Sequence, residues 1–135
     1  MQKRIGAAVL AAAAVALTFT GAAHAETNPR CSTGVTQIGS TKYLKSGNTT
    51  VASVKQFKGC GKNWGYIYVW DSWKSGHPNV EASVAITRGD GDIDIANGRR
   101  GQQEVWSTGA NTLRFCTMAH GIVDGVGQTF TNEVC

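Results

Sequence analysis

Short β-prone segments separated by turn residues run from about residue 35 to the end of the chain, and this pattern most constrains the fold. In the segment 80–87 apolar residues alternate with a second set that is largely polar: Val80, Ala82, Val84 and Ile86 against Glu81, Ser83, Ala85 and Thr87. Period-two alternation of this kind is typical of a strand with one buried face. Segments rich in β-branched and aromatic residues predict further strands at 49–57, 64–70, 93–96, 104–107, 112–119 and 128–135. Segments 35–38 and 41–44 are alternatives for a first strand.

Turn residues separate these segments, with Gly, Asn and Asp clustered at 58–63, 75–79, 89–91, 97–98 and 109–111. No long stretch of the mature part has the 3.6-residue period of a helix. Strands at this spacing without intervening helices predict an all-β fold, a small antiparallel β-sandwich or barrel.

The first 25 residues have the three parts of a secretory signal peptide. Lys3 and Arg4 form a basic start, residues 5–20 are Ala-rich and apolar, and Ala23-His24-Ala25 is a small-residue cleavage site. The apolar run is shorter than the ~20 residues that a membrane-spanning helix needs. The sequence therefore predicts a signal peptide at 1–25, a single secreted β domain at 26–135, and no membrane association after cleavage.

Composition excludes several classes of protein. Charged residues are 16% and apolar residues 41% of the chain, with 17 Gly and 2 Pro, which is unlike a disordered tail, a collagen-like chain or a coiled coil. Without Lys3 and Arg4, the 13 basic residues become 11 against 9 acidic ones, a net charge of about +2. Because this excess is small and scattered along the chain, we expect no nucleic-acid partner. We also expect a monomer.

All four cysteines, Cys31, Cys60, Cys116 and Cys135, follow the predicted cleavage site. An even number in a small exported domain predicts two disulfides. A zinc site is disfavoured because the sequence has no C-x-x-C or H-x-x-x-H spacing. Of the three possible pairings we favour Cys31–Cys60 with Cys116–Cys135, because these close two local loops. In the chain-entropy model each loop adds roughly 3–3.6 kcal/mol to stability.

An aromatic stripe lies in the segment 64–70. Trp64, Tyr66, Tyr68 and Trp70 share one parity and would project from one face of a strand, and Trp73 follows in a polar segment. One interpretation is a strand buried on both faces, whose rings form half of the core. The other is an exposed platform for sugar rings or for a protein partner. We expect Trp64 to be buried and take Tyr66, Tyr68, Trp70 and Trp73 as the candidate binding residues.

Three carboxylates, Asp90, Asp92 and Asp94, alternate along one segment as they do in calcium loops. The EF-hand pattern also needs Gly at position 6 and an acidic residue at position 12, which are here Ile95 and Gly101. We therefore interpret the carboxylates as part of a solvated turn and edge strand, and we predict no metal and no cofactor.

Candidates for catalysis are few. A serine hydrolase would need a nucleophile elbow such as G-x-S-x-G, which the sequence lacks, and His120 falls in a Gly-rich turn. His77, Glu81 and Arg88 could supply the acid, the base and the phosphate-binding cation of a small ribonuclease. Such folds carry a helix against the sheet, which this sequence does not predict. We predict no enzyme activity, with a small secreted hydrolase or ribonuclease as the less favoured alternative.

The cysteine framework resembles that of a known family. The segments that carry the resemblance are Cys31-Ser32-Thr33-Gly34, Gly59-Cys60-Gly61-Lys62-Asn63-Trp64, Leu113-Arg114-Phe115-Cys116 and the terminal Cys135. Together they resemble the small secreted spore-associated proteins of filamentous actinobacteria. The resemblance covers the mature chain as a pattern of cysteines and turns. It implies an exported, non-enzymatic protein of the cell or spore surface, and it brings no catalytic residues to this sequence.

Two functions of different classes are consistent with these features. The first is a secreted, non-catalytic β domain that binds a cell-surface polymer or an extracellular protein through its aromatic face. The second is inhibition of a secreted hydrolase, because small exported β-proteins with two local disulfides also look like the proteinaceous α-amylase inhibitors of similar bacteria. Those inhibitors present an exposed Trp-Arg-Tyr, a tripeptide that does not occur in this sequence, so the binding function is preferred.

Overall fold

A computed structural model describes residues 26–135, and the predicted signal peptide lies outside the described residues. Within them the chain forms two four-stranded antiparallel sheets, in the order β1-β2-β3-β6 for sheet 1 and β5-β4-β7-β8 for sheet 2. The elements are β1 (Thr36–Ser46), β2 (Thr49–Gly59), β3 (Lys62–Val69), α1 (Asp71–Lys74), β4 (Ala82–Arg88), β5 (Gly91–Asn97), β6 (Glu104–Trp106), β7 (Met118–Val123) and β8 (Gly127–Phe130). The two sheets pack face to face, so the predicted all-β fold is confirmed, and of the two predicted architectures the chain forms the sandwich.

The main core lies between the two sheets. Its buried side chains are mostly β-branched and come from strands of both sheets, including Val51, Val54, Ile67, Val69, Val84, Ile86 and Val123. The sheets approach each other closely at two glycines, since a Cβ at Gly121 would lie 2.3 Å from Val54 and one at Gly65 would lie 2.8 Å from the Ala85 carbonyl oxygen. A larger residue at either position would therefore push the sheets apart.

Two strand predictions in the C-terminal third are wrong. The segment 112–119 becomes a strand only at its end, because residues 112–115 form a turn in which the Phe115 N–H donates to the Thr112 carbonyl. Strand β7 instead runs through His120 and Gly121, which had been interpreted as a turn. Gly121 has this place because of the tight packing against Val54 rather than for a turn conformation. The last predicted strand ends at Phe130.

Strand β1 joins the two predicted alternatives, 35–38 and 41–44, in one long edge strand that begins at Thr36. Its pairing with β2 shifts register between Ile38 and Lys42 and again between Leu44 and Lys45. Most of its residues are exposed. A register shift interrupts the alternation of apolar and polar residues, and this alternation is already weak in an edge strand. The sequence pattern therefore indicated two short segments where the chain forms one strand.

The structure contains the two predicted disulfides, Cys31–Cys60 and Cys116–Cys135, with sequence separations of 29 and 19 residues. The first ties the N-terminal segment, which we define as residues 26–35, to the turn between β2 and β3. The second ties the end of the 112–117 segment to the C-terminus. Among residues 26–135 no helix is long and apolar enough to cross a bilayer.

Candidate functional site

The outer face of sheet 1, which points away from sheet 2, carries the aromatic stripe and is divided into two halves. On the covered half, the N-terminal segment lies over a second, smaller core of buried side chains: Cys31, Phe57, Trp64, Tyr66 and Trp106. Trp64 is only 2% exposed and its indole N–H donates to the Gly59 carbonyl at 2.9 Å. Half of the stripe is therefore structural, as predicted for Trp64.

On the open half, three aromatic side chains share the outer face without a covering segment. We call Tyr43, Tyr68 and Trp70 the aromatic face. The register places Tyr43 opposite Ser53 and Ser53 opposite Tyr68, so these side chains project from the same side of the sheet. Tyr43 is 50% and Trp70 38% exposed. The two rings meet edge to face, with their centroids 6.2 Å apart.

Hydrogen bonds fix the orientation of the aromatic face. The Trp70 indole N–H donates to the hydroxyl of Ser53 at 2.8 Å. The amide of Gln103 donates to the Tyr68 phenol oxygen at 3.1 Å and to the Val69 carbonyl at 3.0 Å, and it also bonds the Asp71 carboxylate. Because Tyr43 and Tyr68 lie on strands, and Tyr68 and Trp70 are held by these bonds, the rings would lose little conformational entropy when a ligand binds.

Glu104 borders the aromatic face on the β6 side, opposite Tyr68 in the register. One of its oxygens accepts a hydrogen bond from the Tyr66 hydroxyl at 2.9 Å. Burial, followed by this hydrogen bond, raises the pKa of Tyr66 far above its ordinary value. Burial and then the charge of Asp71 raise the pKa of Tyr68 as well. Both phenols are therefore neutral hydrogen-bond donors at physiological pH.

The raised pKa of Tyr66 predicts that the stability contribution of this residue is lost at alkaline pH. Above pH ~10 the unfolded chain releases the phenolic proton while the folded chain keeps it, so the free energy of unfolding falls by about 1.4 kcal/mol per pH unit. Tyr66→Phe lacks this ionisation but also lacks the hydrogen bond to Glu104, which is worth about 1–2 kcal/mol. We expect the variant to be less stable than the wild type at pH 8, and we expect this difference to shrink by about 1.4 kcal/mol at pH 11.

Urea denaturation at the two pH values measures this difference. Tyr43→Phe, which removes an exposed phenol from the same sheet, is the control for the general effect of losing a tyrosine hydroxyl. A stability difference between Tyr66→Phe and the wild type that is the same at pH 8 and pH 11 would contradict the assignment.

The predicted binding residues do not all lie together. Tyr68 and Trp70 are on the aromatic face, whereas Tyr66 is 3% exposed inside the covered half and cannot contact a ligand, so its prediction as a binding residue is corrected. Trp73, in α1, packs against the main core and stacks on His77 with ring centroids 3.9 Å apart. Trp73 therefore packs on the core between the sheets and is not part of the aromatic face.

The three predicted turn carboxylates have three different partners. Asp90 lies 4.0 Å from the Arg88 guanidinium, and Asp94 accepts the hydroxyl of Thr108 and the backbone N–H of Gly109. Asp92 lies 2.6 Å from Nδ1 of the buried His120, whose other ring nitrogen is 2.8 Å from Gln128. These carboxylates serve as ties within sheet 2 and to the loop after β6.

The ribonuclease-like set is not assembled either. Glu81 is engaged by Arg100 at 2.9 Å, and His77 lies against Trp73. Arg88 is at the far end of β4 from Glu81, roughly 23 Å away at ~3.3 Å per residue, and covers the ring of Phe115. These three residues therefore do not converge on one reacting atom.

Comparison of the chain with models of protein families, with curated proteins and with solved structures finds no match.

Sequence reasoning missed three residues of the open half: Tyr43, Ser53 and Gln103. Tyr43 belongs to a strand whose alternation is broken by register shifts. Ser53 and Gln103 are ordinary polar residues whose importance comes from what they contact. The register of β1 on β2 places Tyr43 opposite Ser53, on the face that carries the stripe. Of the three residues, only Tyr43 could therefore have been predicted from the sequence as part of the binding face.

Proposed function

We propose that this protein is a secreted, non-catalytic binding protein that holds an extracellular polysaccharide on its aromatic face. The observation that carries the proposal is the pair of exposed rings, Tyr43 and Trp70, fixed edge to face on a sheet and bordered by hydrogen-bonding side chains. Sugar rings offer an apolar face for stacking and a rim of hydroxyls for hydrogen bonds. An amphipathic aromatic surface with polar neighbours suits both needs.

The surroundings of the rings support a sugar ligand over an apolar one. The Tyr68 phenol is a neutral donor, and the carboxylates of Asp71 and Glu104 are acceptors at the two borders of the face. Glu104 Oε1 is engaged by Tyr66, which leaves Oε2 without a hydrogen bond from residues 26–135. Hydrogen-bond donors and acceptors beside an aromatic surface match the hydroxyl groups around a sugar ring better than they match a hydrocarbon chain.

Secretion is supported by the two disulfides, which persist in oxidising compartments. The resemblance to spore-associated proteins extends the proposal to the cell or spore surface. Within that setting the protein acts as a binding component rather than as an enzyme.

Retention on insoluble polymers tests this function. The mature protein is mixed with chitin, cellulose and peptidoglycan, and the bound fraction is compared with that of Tyr43→Ala, Trp70→Ala and the double variant. Loss of a well-packed aromatic contact costs about 2 kcal/mol, or about 30-fold in affinity. We expect retention of the wild type on at least one polymer and at least tenfold weaker retention of each single variant.

Phe115→Ala is the matched control, because Phe115 is another exposed ring, 46% accessible, that lies outside the aromatic face. This variant should be retained like the wild type. Failure of the wild type to bind any polymer, together with inhibition in a panel of amylase and protease assays, would contradict the proposal and favour the hydrolase inhibitor.

A further inference from the structure

A cleft of about 530 Å³ lies beside the covered half of sheet 1, between the N-terminal segment and the turn that follows β5. Its wall includes two arginines, one aromatic ring and three hydrogen-bonding side chains: Arg30, Arg99, Trp106, Asn97, Gln102 and Glu104. The volume is in the range of small-ligand sites. The two guanidinium groups outnumber the single carboxylate, that of Glu104, and this net charge of +1 favours a ligand with negative charge.

Both arginines are carried by anchored backbone. The Arg30 backbone N–H donates to Asn28 at 2.9 Å, one of its side-chain N–H groups donates to the Ser107 carbonyl at 3.0 Å, and its neighbour Cys31 is in a disulfide. The backbone N–H of Arg99 donates to the side chain of Gln102 at 2.9 Å. The cleft is therefore held in shape from both sides.

Among residues 26–135, no carboxylate oxygen lies within 4 Å of the Arg30 or Arg99 guanidinium, whereas Arg88 and Arg100 each have an acidic partner. A guanidinium has five N–H donors in a planar fork. Arg30 uses one of them on Ser107, so the others can bind a carboxylate or phosphate oxygen pair.

The charges of the two sheets differ in sign. The strands of sheet 1 hold five lysines and one glutamate, a net +4, whereas those of sheet 2 hold one arginine and two aspartates, a net −1. A ligand with negative charge is thus attracted to the sheet that carries the aromatic face.

Glu104 connects the two features. It borders the aromatic face opposite Tyr68 and also lines the cleft, so the two surfaces are continuous across β6. We propose that the ligand is an acidic polysaccharide, whose sugar rings lie on the aromatic face and whose carboxylate or phosphate groups enter the cleft between Arg30 and Arg99. Glu104, held by Tyr66, accepts sugar hydroxyls at the boundary. This inference rests on the proposed function and names its class of ligand.

Three soluble probes separate the sources of negative charge. Polygalacturonate carries a carboxylate on each sugar, its fully methyl-esterified form is the uncharged match, and polyglycerol phosphate supplies phosphate without a sugar ring in the backbone. Binding is measured by titration calorimetry for the wild type, Arg30→Gln, Arg99→Gln, Trp70→Ala and the control Arg100→Gln, which lies outside the cleft and pairs with Glu81.

We expect polygalacturonate to bind at least tenfold more tightly than its methyl ester, with an affinity that falls as salt is raised. Arg30→Gln and Arg99→Gln should each weaken polygalacturonate about tenfold and leave the ester unchanged, and Arg100→Gln should have no effect. Polyglycerol phosphate should bind weakly, and each arginine variant should abolish this binding while Trp70→Ala leaves it unchanged. That result would support a division in which the arginines bind the charged groups and the aromatic face binds the sugar rings.

Equal affinity for the acid and the ester, with binding that still depends on Trp70, would overturn the acidic ligand and leave the aromatic face as the binding site. Binding that depends on the arginines but not on Trp70 would overturn the proposed function instead. Binding of none of the three probes would overturn the acidic ligand, and retention on chitin, cellulose or peptidoglycan would then decide the proposed function separately.

Discussion

Replacement of both Cys31 and Cys60 with alanine is expected to lower the free energy of unfolding by about 3.6 kcal/mol, because the disulfide closes a loop with a separation of 29 residues. The structure adds a second effect. Cys31 itself is buried in the smaller core, and the N-terminal segment that it anchors covers Trp64, Tyr66 and Trp106. Loss of the bond should therefore loosen this cover and expose the rings beneath it to water.

The matched control is replacement of Cys116 and Cys135, which close a loop of 19 residues and should cost about 3.2 kcal/mol in the same model. Only the first pair should change the tryptophan fluorescence and its quenching by iodide under native conditions. Equal quenching in the two variants would show that the N-terminal segment does not depend on Cys31–Cys60 for its position. Urea denaturation gives the stabilities.

Trp64→Ala is expected to cost about 3–5 kcal/mol, the usual loss when a buried tryptophan is truncated. Trp64 is buried against Phe57 and Gly109, and its indole N–H bonds the Gly59 carbonyl. Trp70→Ala should cost only about 1 kcal/mol, because the ring is 38% exposed and loses mainly its contacts with Tyr43 and Ser53.

Chemical denaturation of the two variants measures the contrast between the covered and open halves. Trp64→Phe is a second variant for the case in which Trp64→Ala does not fold, and it should remain folded with a smaller loss. Similar losses for Trp64→Ala and Trp70→Ala would contradict the division of the stripe into a structural half and an exposed half.

The sequence predicted three of the four strands that lie in the middle of the sheets, whereas β7, the fourth, was predicted only at its first two residues. Strands β2, β3 and β4 contact neighbours on both sides, so their β-branched and aromatic residues follow the sheet closely. The pairing of the cysteines was predicted because the pairs close short loops. Where the prediction failed, as at His120 and Gly121, a glycine typical of turns was required by the packing of one sheet on the other.

The site was predictable only in part, for a physical reason. Because every second side chain of a strand projects from the same face, the sequence predicted that the stripe from Trp64 to Trp70 lies on one face, as observed. It could not show that the N-terminal segment, which has no regular repeat, covers half of that face. Nor could it bring Arg30 and Arg99 to one cleft, since they are far apart in the sequence and meet only through the edges of β5 and β6.

The most direct test of the aromatic face is an NMR titration that follows the indole N–H resonances of the four tryptophans, Trp64, Trp70, Trp73 and Trp106. Soluble oligogalacturonate and chitotetraose are the probes. The account predicts that the Trp70 resonance shifts on binding while those of Trp64 and Trp73 stay in place, with a shift of Trp106 only for the acidic probe. A shift of Trp73 with Trp70 unchanged, or no shift of any of the four with either probe, would contradict it.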